Sequence, residues 1–419
     1  MGFRPREPRD ECRLGTGGAG VDTAPTHGGV SLHRVPEIAA HARAVPASGI
    51  RRITELAWSL PGAVVLSVGE PDLPTAPHVL DAAREALARD DTRYTPNGGI
   101  APLRDAVADW LDPEHALPVR RDNVWITAGG AQALHLALSL TVGAGDGVLV
   151  PDPGYPPFTM ATRLLQAEAQ PYALRAEDGF LPDPAAVEAA ITDRTRVLLL
   201  NSPSNPLGTT LPAALVAELL ELARRHDLWV LSDECYAAFT DGTPHVPAAR
   251  FDTDGRVLTL HTFSKTHAMT GFRVGVLVVP DRMAPLMPTL QESVVSCVNT
   301  PAQYAALAAL TGPQDAVEHA RRTYREHRDL ATAVLDERGI PWLRAGGGIY
   351  LWADVSHATG GDVAAWAEDL ARTAGVAVAP GSAFGARGEG WVRISLTASA
   401  DDLRTGLSRL PARARVAAG

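Results

Sequence analysis

The central part of the chain alternates between two patterns of hydrophobic and polar residues. Residues 76–89 carry apolar side chains at helical spacing, which predicts an amphipathic helix. The face that this helix would bury consists of Val79, Leu80, Ala83, Ala86 and Leu87. Pro102 predicts the start of a second helix, and its buried positions would be Leu103, Val107 and Trp110.

Short apolar runs bounded by turn residues follow these helices. The runs are continuously apolar rather than alternating, which is typical of strands that are buried on both faces of a sheet. They occupy residues 148–153, 197–201, 229–234, 257–264 and 274–279. Helical stretches such as 211–227 separate several of them. This alternation predicts an α/β domain with a mostly parallel central sheet flanked by helices.

The pattern changes after about residue 295. Long helical segments over 301–338 precede two short strand-like runs, at 349–355 and 391–396, and Ser399 is a candidate cap for a last helix. We interpret this part, together with an N-terminal segment, as a smaller α+β domain. The predicted division is a flexible arm over 1–47, the N-terminal segment of the small domain over 48–75, the large domain over 76–295 and the C-terminal small domain over 296–419.

Composition and charge narrow the class of protein. The 419 residues are 46% hydrophobic and 21% charged, which is ordinary for a globular protein and excludes a wholly disordered chain. The net charge of −10, without a basic block, argues against nucleic-acid or anionic-membrane partners. We see no secretory signal, no membrane-spanning run and no metal-binding motif. The three scattered cysteines suggest no disulfide framework, so we expect a cytoplasmic protein.

One residue stands out by its type. Of the 38 Lys and Arg residues only Lys265 is a lysine. Arginine cannot lose its proton in a protein, whereas a lysine amine can and then acts as a nucleophile. Lys265 is therefore a candidate catalytic residue, although a single lysine in a polar turn is also compatible with chance.

Polar side chains follow the predicted strands at the point where each strand ends. Asn205 lies in the turn after 197–201, Asp233 and Tyr236 lie where 229–234 ends, and Lys265 follows the next strand. Ligands of open α/β sheets bind at the carboxyl ends of the strands, so these residues are expected to lie together. Taken alone, each of these residues is weak evidence for a functional site, because a capping Asp, a core Tyr and a Pro-rich turn are common.

Two further segments suit a phosphate group. The segment TAGGAQAL (127–134) leads from a Gly-Gly turn into a helical stretch, whose first N–H groups are free to bind an anion. Thr262, Ser264 and Arg273 add hydroxyls and a guanidinium around Lys265. A Schiff-base lysine, an acidic partner for a ring nitrogen and a phosphate site are what pyridoxal 5′-phosphate (PLP) requires. The set as a whole predicts PLP as the cofactor.

These motifs, in this order, resemble those of the class I and II aminotransferases of the fold-type I PLP superfamily. The resemblance extends from about Ser48 to the C-terminus. It includes SGIRRITELA, LSVGEPDLPT, YTPNGG, TAGGAQAL, PDPGYPPF, NSPSNPLG, SDECY, FSKTHAMTGFRVG, CVNTPAQ, VAVAPGSAFG and VRISL.

The resemblance implies a role for each residue of the motifs. Lys265 would form a Schiff base with the cofactor and move the substrate proton, and Asp233 would keep the pyridine nitrogen protonated. Asn205 and Tyr236 would hydrogen-bond the ring oxygen, and Tyr155 would stack on the ring. The residues that would bind the phosphate are Gly130, Ala131, Thr262, Ser264, Arg273 and, from the neighbouring subunit, Tyr94.

The resemblance also implies the reaction and the assembly. An amino group would move between an L-amino acid and a 2-oxo acid by a ping-pong mechanism. Arg393 would bind the substrate α-carboxylate bidentately, with Gly69 and Asn205 beside it. Sharing of Tyr94 between subunits would make the enzyme a homodimer whose active sites lie across the interface.

Three departures from the family pattern and several alternatives accompany this interpretation. Ala131 replaces a hydroxyl or amine side chain, His267 replaces an aromatic and is interpreted as a packing residue, and 291–300 contains no arginine for a second carboxylate. A PLP-dependent lyase, an aminocyclopropane-carboxylate-synthase-like enzyme or a decarboxylating enzyme of the same fold remains an alternative. A non-catalytic aminotransferase-like sensor is a further one.

Overall fold

The computed structural model describes residues 36–242 and 244–413. The compact unit described below begins at Ala40. Its helices are α1 Ala40–Arg43, α2 Gly49–Trp58, α3 Pro77–Ala88, α4 Ala101–Leu111, α5 Gly130–Thr141, α6 Pro156–Leu164, α7 Pro184–Ala189, α8 Ala213–Arg225, α9 Phe263–Thr266, α10 Met287–Val294, α11 Thr300–Thr311, α12 Asp315–Glu337, α13 Ser356–Thr359, α14 Val363–Ala374 and α15 Ala400–Ser408. Its strands are β1 Val64–Val65, β2 Val124–Thr127, β3 Gly147–Asp152, β4 Glu168–Ala173, β5 Thr195–Asn201, β6 Trp229–Asp233, β7 Val257–Thr262, β8 Gly275–Val278, β9 Tyr350–Asp354, β10 Val376–Ala377, β11 Ala379–Pro380 and β12 Trp391–Ser395.

The largest sheet of the described residues has the order β2-β8-β7-β6-β5-β3-β4. Strands β7, β6, β5, β3 and β4 pair in parallel, and β8 runs antiparallel to both of its neighbours. This confirms the predicted mixed α/β fold with a large, mostly parallel central sheet.

Packing on both faces explains why the strands have continuously apolar sequences. Alternate residues of a strand point to opposite faces. In β5, Leu198 and Leu200 pack with Leu219 of α8, whereas Leu199 packs with Leu136 of α5 on the other face. The central positions of β5 are therefore apolar on both faces.

A second core forms towards the C-terminus. Strand β12 pairs antiparallel with β9 and β11, and the short β1 pairs in parallel with β10. Helices α12, α14 and α15 cover these strands, and Ser399 accepts a hydrogen bond from the Asp402 N–H at the start of α15, as predicted. The domain boundaries at 47/48, 75/76 and 295/296 stay predictions.

Two details of the predicted helices were wrong. Leu87 is 57% exposed and Trp110 is 45% exposed, although the helical pattern placed both on buried faces. Helix α3 buries a narrower stripe through Val79 and Ala86, and Leu87 lies beside that stripe near the end of the helix. The Trp110 ring is only partly covered, by the ring of His261 at 5.0 Å.

The described residues include the end of the predicted N-terminal arm and the start of the segment that follows it. Ser48 caps α2 by accepting from the Arg51 N–H, and the short α1 precedes it within the predicted arm. Residues 1–35 of that arm lie outside the described residues.

Of the helices that the structure describes, none combines the length and the apolar character needed to cross a bilayer.

Candidate active site

The site lies at the carboxyl ends of the central strands. Asn201, the last residue of β5, pairs with Asp233, the last residue of β6, and Asp233 pairs with Leu260 of β7. Asn205 and Tyr236 lie in the turns that follow β5 and β6, and Lys265 lies in the short helix α9 that follows β7. The parallel pairing thus brings together the chemistry that the sequence distributes over about 60 positions, as expected for an open α/β sheet.

One short backbone segment holds both the lysine and the arginine of the site. Lys265 Nζ donates to the Gly69 carbonyl oxygen at 2.7 Å, and Arg393 Nη2 donates to the Ser67 carbonyl oxygen at 2.6 Å. The segment follows β1. The amine and the guanidinium therefore face the same cleft, although 128 positions separate them in the sequence.

Asn205 is oriented by two hydrogen bonds. Its backbone N–H donates to Asn201 Oδ1 at 2.8 Å, and its own Oδ1 accepts from Arg393 Nη1 at 2.8 Å. The residue is 3% exposed. With Oδ1 occupied by Arg393, the amide nitrogen Nδ2 is the group left to donate to a ligand.

Aromatic residues line the cleft next to Arg393. The hydroxyls of Tyr236 and Tyr350 lie 2.9 Å apart, and the Arg393 guanidinium lies 4.1 Å from the centre of the Tyr350 ring. Tyr155 precedes α6 and is 37% exposed, which leaves ring surface free for a ligand. The Tyr155 ring meets the Phe158 ring edge-on, with the ring centres 5.5 Å apart.

Asp233 is a buried carboxylate without a cationic partner among the described residues. It is 7% exposed and accepts a hydrogen bond from the Cys235 N–H at 3.1 Å. Burial raises the pKa of Asp233 to about 6, although hydrogen bonds from Cys235 act in the opposite direction. A buried carboxylate of this kind is stabilised by a cationic ligand such as a protonated ring nitrogen.

A cradle for an anion lies beside the Gly-Gly turn. A Cβ atom on Gly129 would lie 2.4 Å from Arg273 Nη2, so the guanidinium packs directly on the turn that opens α5. Gly130 and Ala131 are the first residues of that helix, where N–H groups have no partner within the helix. Thr262 Oγ1 accepts from the Ser264 N–H at 3.2 Å, and the Cβ atom of Thr262 would lie 3.9 Å from a Cβ atom on Gly130.

These groups fit PLP at two places and a carboxylate-bearing substrate at a third. Arg273 has no acidic partner within the described part of the chain, so it can bind a phosphate next to the free N–H groups of α5. The unpaired Asp233 suits the pyridine nitrogen. Arg393 Nε is buried and finds no hydrogen-bond partner among the described residues, as expected of a guanidinium that binds a carboxylate from outside the chain.

Some predicted residues lie outside this cluster. Tyr94 is 90% exposed, so within its own chain it does not reach the cradle. Ala131 offers only its backbone to the cradle. His267 packs its ring 5.6 Å from that of Phe263, and burial together with His78 lowers its pKa to about 4, which fits a neutral packing residue.

Two features of the site were missed from the sequence. For Tyr350 the sequence predicts only a place in the strand-like run at 349–355. Glu234, next to Asp233, is 1% exposed and accepts from Ser232 Oγ at 2.8 Å and from His245 Nε2 at 2.9 Å. Glu234 thus ties the loop before Ala248 to the end of β6. An adjacent pair of carboxylates after an apolar strand was the available signal.

Comparison with known proteins gives a consistent result. The family model for aminotransferase class I and II matches residues 61–410. The aspartate aminotransferase of Pyrococcus horikoshii is 34% identical over 87% of this chain and 93% of its own length. The aspartate/prephenate aminotransferase of Thermus thermophilus is 37% identical over 83% of this chain and 89% of its own.

Solved structures agree with this assignment. The aspartate aminotransferase from Thermus thermophilus with maleate superposes with a TM-score of 0.85 at 35% identity, covering 90% of this chain and 99% of that one. The aromatic aminotransferase from Pyrococcus horikoshii gives 0.80 at 33% identity, covering 85% and 97%. The chain thus belongs to the class I and II aminotransferases, and it is a PLP-dependent enzyme that acts on amino acids and 2-oxo acids.

Proposed function

We propose that Lys265 carries the cofactor and the proton in a ping-pong transfer of an amino group from an L-amino acid to a 2-oxo acid. The observation that carries this proposal is the shared segment 67–69, to which Lys265 Nζ and Arg393 Nη2 donate at 2.7 and 2.6 Å. A substrate with its amino and carboxylate groups on one carbon needs an amine-exchanging group and a carboxylate-binding group at such close range.

Arg393 is well placed to bind the α-carboxylate. Its side chain is 2% exposed, and Asn205 and Ser67 each accept from one of its terminal nitrogens. Charge-assisted hydrogen bonds to a carboxylate are stronger where water is excluded. The buried guanidinium therefore supports both binding and orientation of the donor, with Gly69 alongside.

Proton transfer falls to Lys265. When bound, PLP supplies an aldehyde and a protonated pyridine ring that withdraws electrons from the Cα–H bond of the donor. Lys265 Nζ would take the Cα proton and deliver it to the former aldehyde carbon of the cofactor within the same half of the transfer, and it would move a proton in the opposite direction in the second half. The Gly69 carbonyl keeps this amine within the cleft. A positioned general acid–base typically contributes about 10²–10⁴-fold to the rate.

The remaining residues are proposed to hold and tune the cofactor. Asp233 would keep the ring nitrogen protonated, and Asn205 Nδ2 and the Tyr236 hydroxyl would donate to the ring oxygen. Tyr155 would cover one face of the ring. The phosphate would be bound by the residues of the cradle, namely Gly130, Ala131, Thr262, Ser264 and Arg273.

Arg393 is called the carboxylate clamp below. A cavity next to this clamp is suited to the side chain of the amino donor. It measures about 410 Å³, and its lining includes Ala47, Ile53, Tyr155, Pro156, Met160 and Phe384 together with the charged residues Arg52, Arg163 and Glu368. The Phe384 ring also lies 5.0 Å from the Arg393 guanidinium, so one wall of the cavity touches the proposed carboxylate-binding residue. Because much of this lining is apolar, we expect donors with bulky apolar side chains to have a higher kcat/KM than alanine.

We also propose a homodimer. Tyr94 is exposed on the surface, and the neighbouring Asn97 donates to the Pro288 carbonyl oxygen of α10. Leu286 and Val294, at the two ends of that helix, are 58% and 47% exposed. Apolar residues exposed together support a subunit interface here.

The free thiols of Cys235 and Cys297 support a reducing compartment such as the cytoplasm.

A panel of amino donors tests the proposed reaction. The purified holoenzyme is mixed with alanine, aspartate, phenylalanine or tyrosine, with 2-oxoglutarate as acceptor, and the new 2-oxo acid and glutamate are quantified. We expect equal amounts of both products, and conversion of the cofactor to its amine form when the acceptor is omitted. Release of ammonia and pyruvate from a β-substituted donor, without glutamate, would support a lyase instead.

A further inference from the structure

Tyr350 contacts three residues of the proposed site. It is the first residue of β9 and is 3% exposed. Its ring lies against the Arg393 guanidinium, and its hydroxyl lies against Tyr236 and Gly69. One side chain thus touches the carboxylate clamp, a proposed ring-oxygen donor and the segment that holds Lys265.

The contact with Arg393 follows from the pairing of two strands. In the antiparallel pair of β9 and β12, Arg393 lies opposite Trp352 and Ser395 lies opposite Tyr350. Arg393 and Tyr350 are therefore diagonal neighbours on the same face, a distance that aromatic side chains can span. The guanidinium carbon lies 4.1 Å from the ring centre, and a cation–π attraction of this kind is stronger where water is excluded.

The contacts of the hydroxyl are equally close. Tyr350 Oη lies 2.9 Å from Tyr236 Oη. On its other side, a Cβ atom on Gly69 would lie only 1.9 Å from Tyr350 Oη, so the absence of a side chain at Gly69 makes room for this hydroxyl. The Tyr350 ring meets the Tyr236 ring at 71° with centres 5.6 Å apart, which fixes the direction of approach.

We propose that Tyr350 is a positioning residue that acts on Arg393 through its ring and on Tyr236 through its hydroxyl. This inference rests on the functions proposed above for Arg393 and Tyr236. The two actions use different parts of the side chain, so that substitutions can separate them.

The hydroxyl acts through the limited hydrogen-bonding capacity of a phenol. A phenol has one proton to donate and lone pairs to accept. Because Tyr236 gives its proton to the ring oxygen in the proposed function, its own oxygen accepts the proton of Tyr350. In such a chain each hydrogen bond polarises the next. Loss of the Tyr350 hydroxyl therefore weakens the hydrogen bond from Tyr236 without removing any group that touches the cofactor.

The test compares Y350F and Y350L as holoenzymes. The visible absorption band of the bound cofactor is titrated against pH, and KM for the best donor of the panel is measured separately from kcat. Both variants are expected to raise the pKa of the spectral transition by a few tenths of a unit, because the ring oxygen is less stabilised in its anionic form. Only Y350L is expected to raise KM, by roughly 3- to 30-fold, because it also loses the ring.

A matched control removes another buried tyrosine hydroxyl. Tyr172 is 3% exposed and donates to the Leu199 carbonyl oxygen at 2.9 Å, away from the cleft. Y172F is expected to leave both the spectral transition and KM unchanged. If Y350L does not fold, Y350M fills the space with a flexible side chain and carries the same test.

The outcomes separate the two halves of the inference from the proposed function. A spectral transition in Y350F identical to wild type, together with a shift in Y236F, would overturn the action through the hydroxyl. An unchanged KM in Y350L would overturn the action through the ring. A wild type with neither visible band nor turnover would overturn the proposed function and this inference with it.

Discussion

Arg393 Nη1 donates to Asn205 Oδ1 over 2.8 Å, and this bond joins the carboxylate clamp to a proposed donor to the cofactor ring. The two residues come from distant parts of the chain, β12 and the turn after β5. The bond uses the acceptor oxygen of Asn205 and so fixes which end of the amide faces the cleft. In the proposed function, binding of the substrate carboxylate and orientation of the cofactor therefore depend on the same pair.

The substitution N205D tests this relationship. An aspartate keeps an acceptor for Arg393 but brings a negative charge, which competes with the substrate carboxylate for the guanidinium and removes the Nδ2 donor. Hydrogen bonds to charged groups contribute about 1.5–3 kcal/mol, so we expect KM for the donor to rise by at least about tenfold. Steady-state kinetics with the best donor give the answer. An unchanged KM would show that Asn205 does not share the clamp.

The substitution R393K tests the clamp itself. A lysine replaces the planar guanidinium, which donates to both Asn205 and Ser67, by a single ammonium group. We expect kcat/KM for the amino acid to fall by roughly 10- to 100-fold, and that for an amine without a carboxylate to change much less. The control is R256K, which alters a buried arginine that bonds to Asp254 away from the site and should leave KM unchanged. Equal losses for both substrates in R393K would count against the clamp.

The raised pKa of Asp233 predicts that ionisation of this carboxyl group lowers the free energy of unfolding of the cofactor-free protein. Burial raises the pKa of Asp233 from 3.8 to about 6, because the folded protein favours the neutral carboxyl group. The contribution of this group to the free energy of unfolding is therefore full below pH 3.8 and is lost as the pH rises through about 6. Cofactor-free D233N should therefore be more stable than cofactor-free wild type at pH 7.5, on the order of 2–3 kcal/mol. The difference should vanish near pH 4. Urea unfolding at both pH values measures it.

The control for this measurement is D252N. Asp252 is 5% exposed, and its carboxylate accepts from the N–H groups of Gly255 and Val257, so its replacement should destabilise the protein. Added PLP should stabilise wild type more than D233N, because only a carboxylate pairs with a protonated ring nitrogen. If the difference between D233N and wild type were the same at both pH values, Asp233 would not carry the shifted pKa.

Subunit mixing tests whether Tyr94 completes the site of a neighbouring subunit. The K265A homodimer should be inactive, and the Y94A homodimer should bind PLP more weakly. In a hybrid dimer one site combines an intact Lys265 with an intact Tyr94 from the other subunit. Co-expression of the two variants should therefore restore activity at low PLP concentration, measured after purification of the hybrid. Activity no higher than the mean of the two homodimers would show that Tyr94 acts within its own chain or not at all.

The fold was predictable because the hydrophobic pattern reports burial directly. Strand β5 lies between α5 and α8, so all its central positions are apolar and the run at 197–201 identifies it. Leu87 and Trp110 were mispredicted because helical spacing defines a face but not how much of it a neighbouring element covers. The width of a contact is set by tertiary packing.

The site was predictable only where the chemistry needs a particular residue type. Lys265 stands out as the single lysine, and Asp233 follows a strand in a place where a capping aspartate would look the same. Tyr350 has no such signal, because its relation to Arg393 arises from the register of β9 and β12. Sequence alone gives neither the register nor the 2.9 Å contact with Tyr236.

The most direct test of the central claim is borohydride reduction of the holoenzyme followed by peptide mapping. Apart from the α-amino group of the N-terminus, Lys265 is the only primary amine that the chain offers. We expect the yellow protein to lose its colour on reduction and the peptide containing residues 263–273 to carry the cofactor mass at Lys265. K265R should take up no label. A reduced protein in which the peptide around Lys265 stays unmodified would contradict the account.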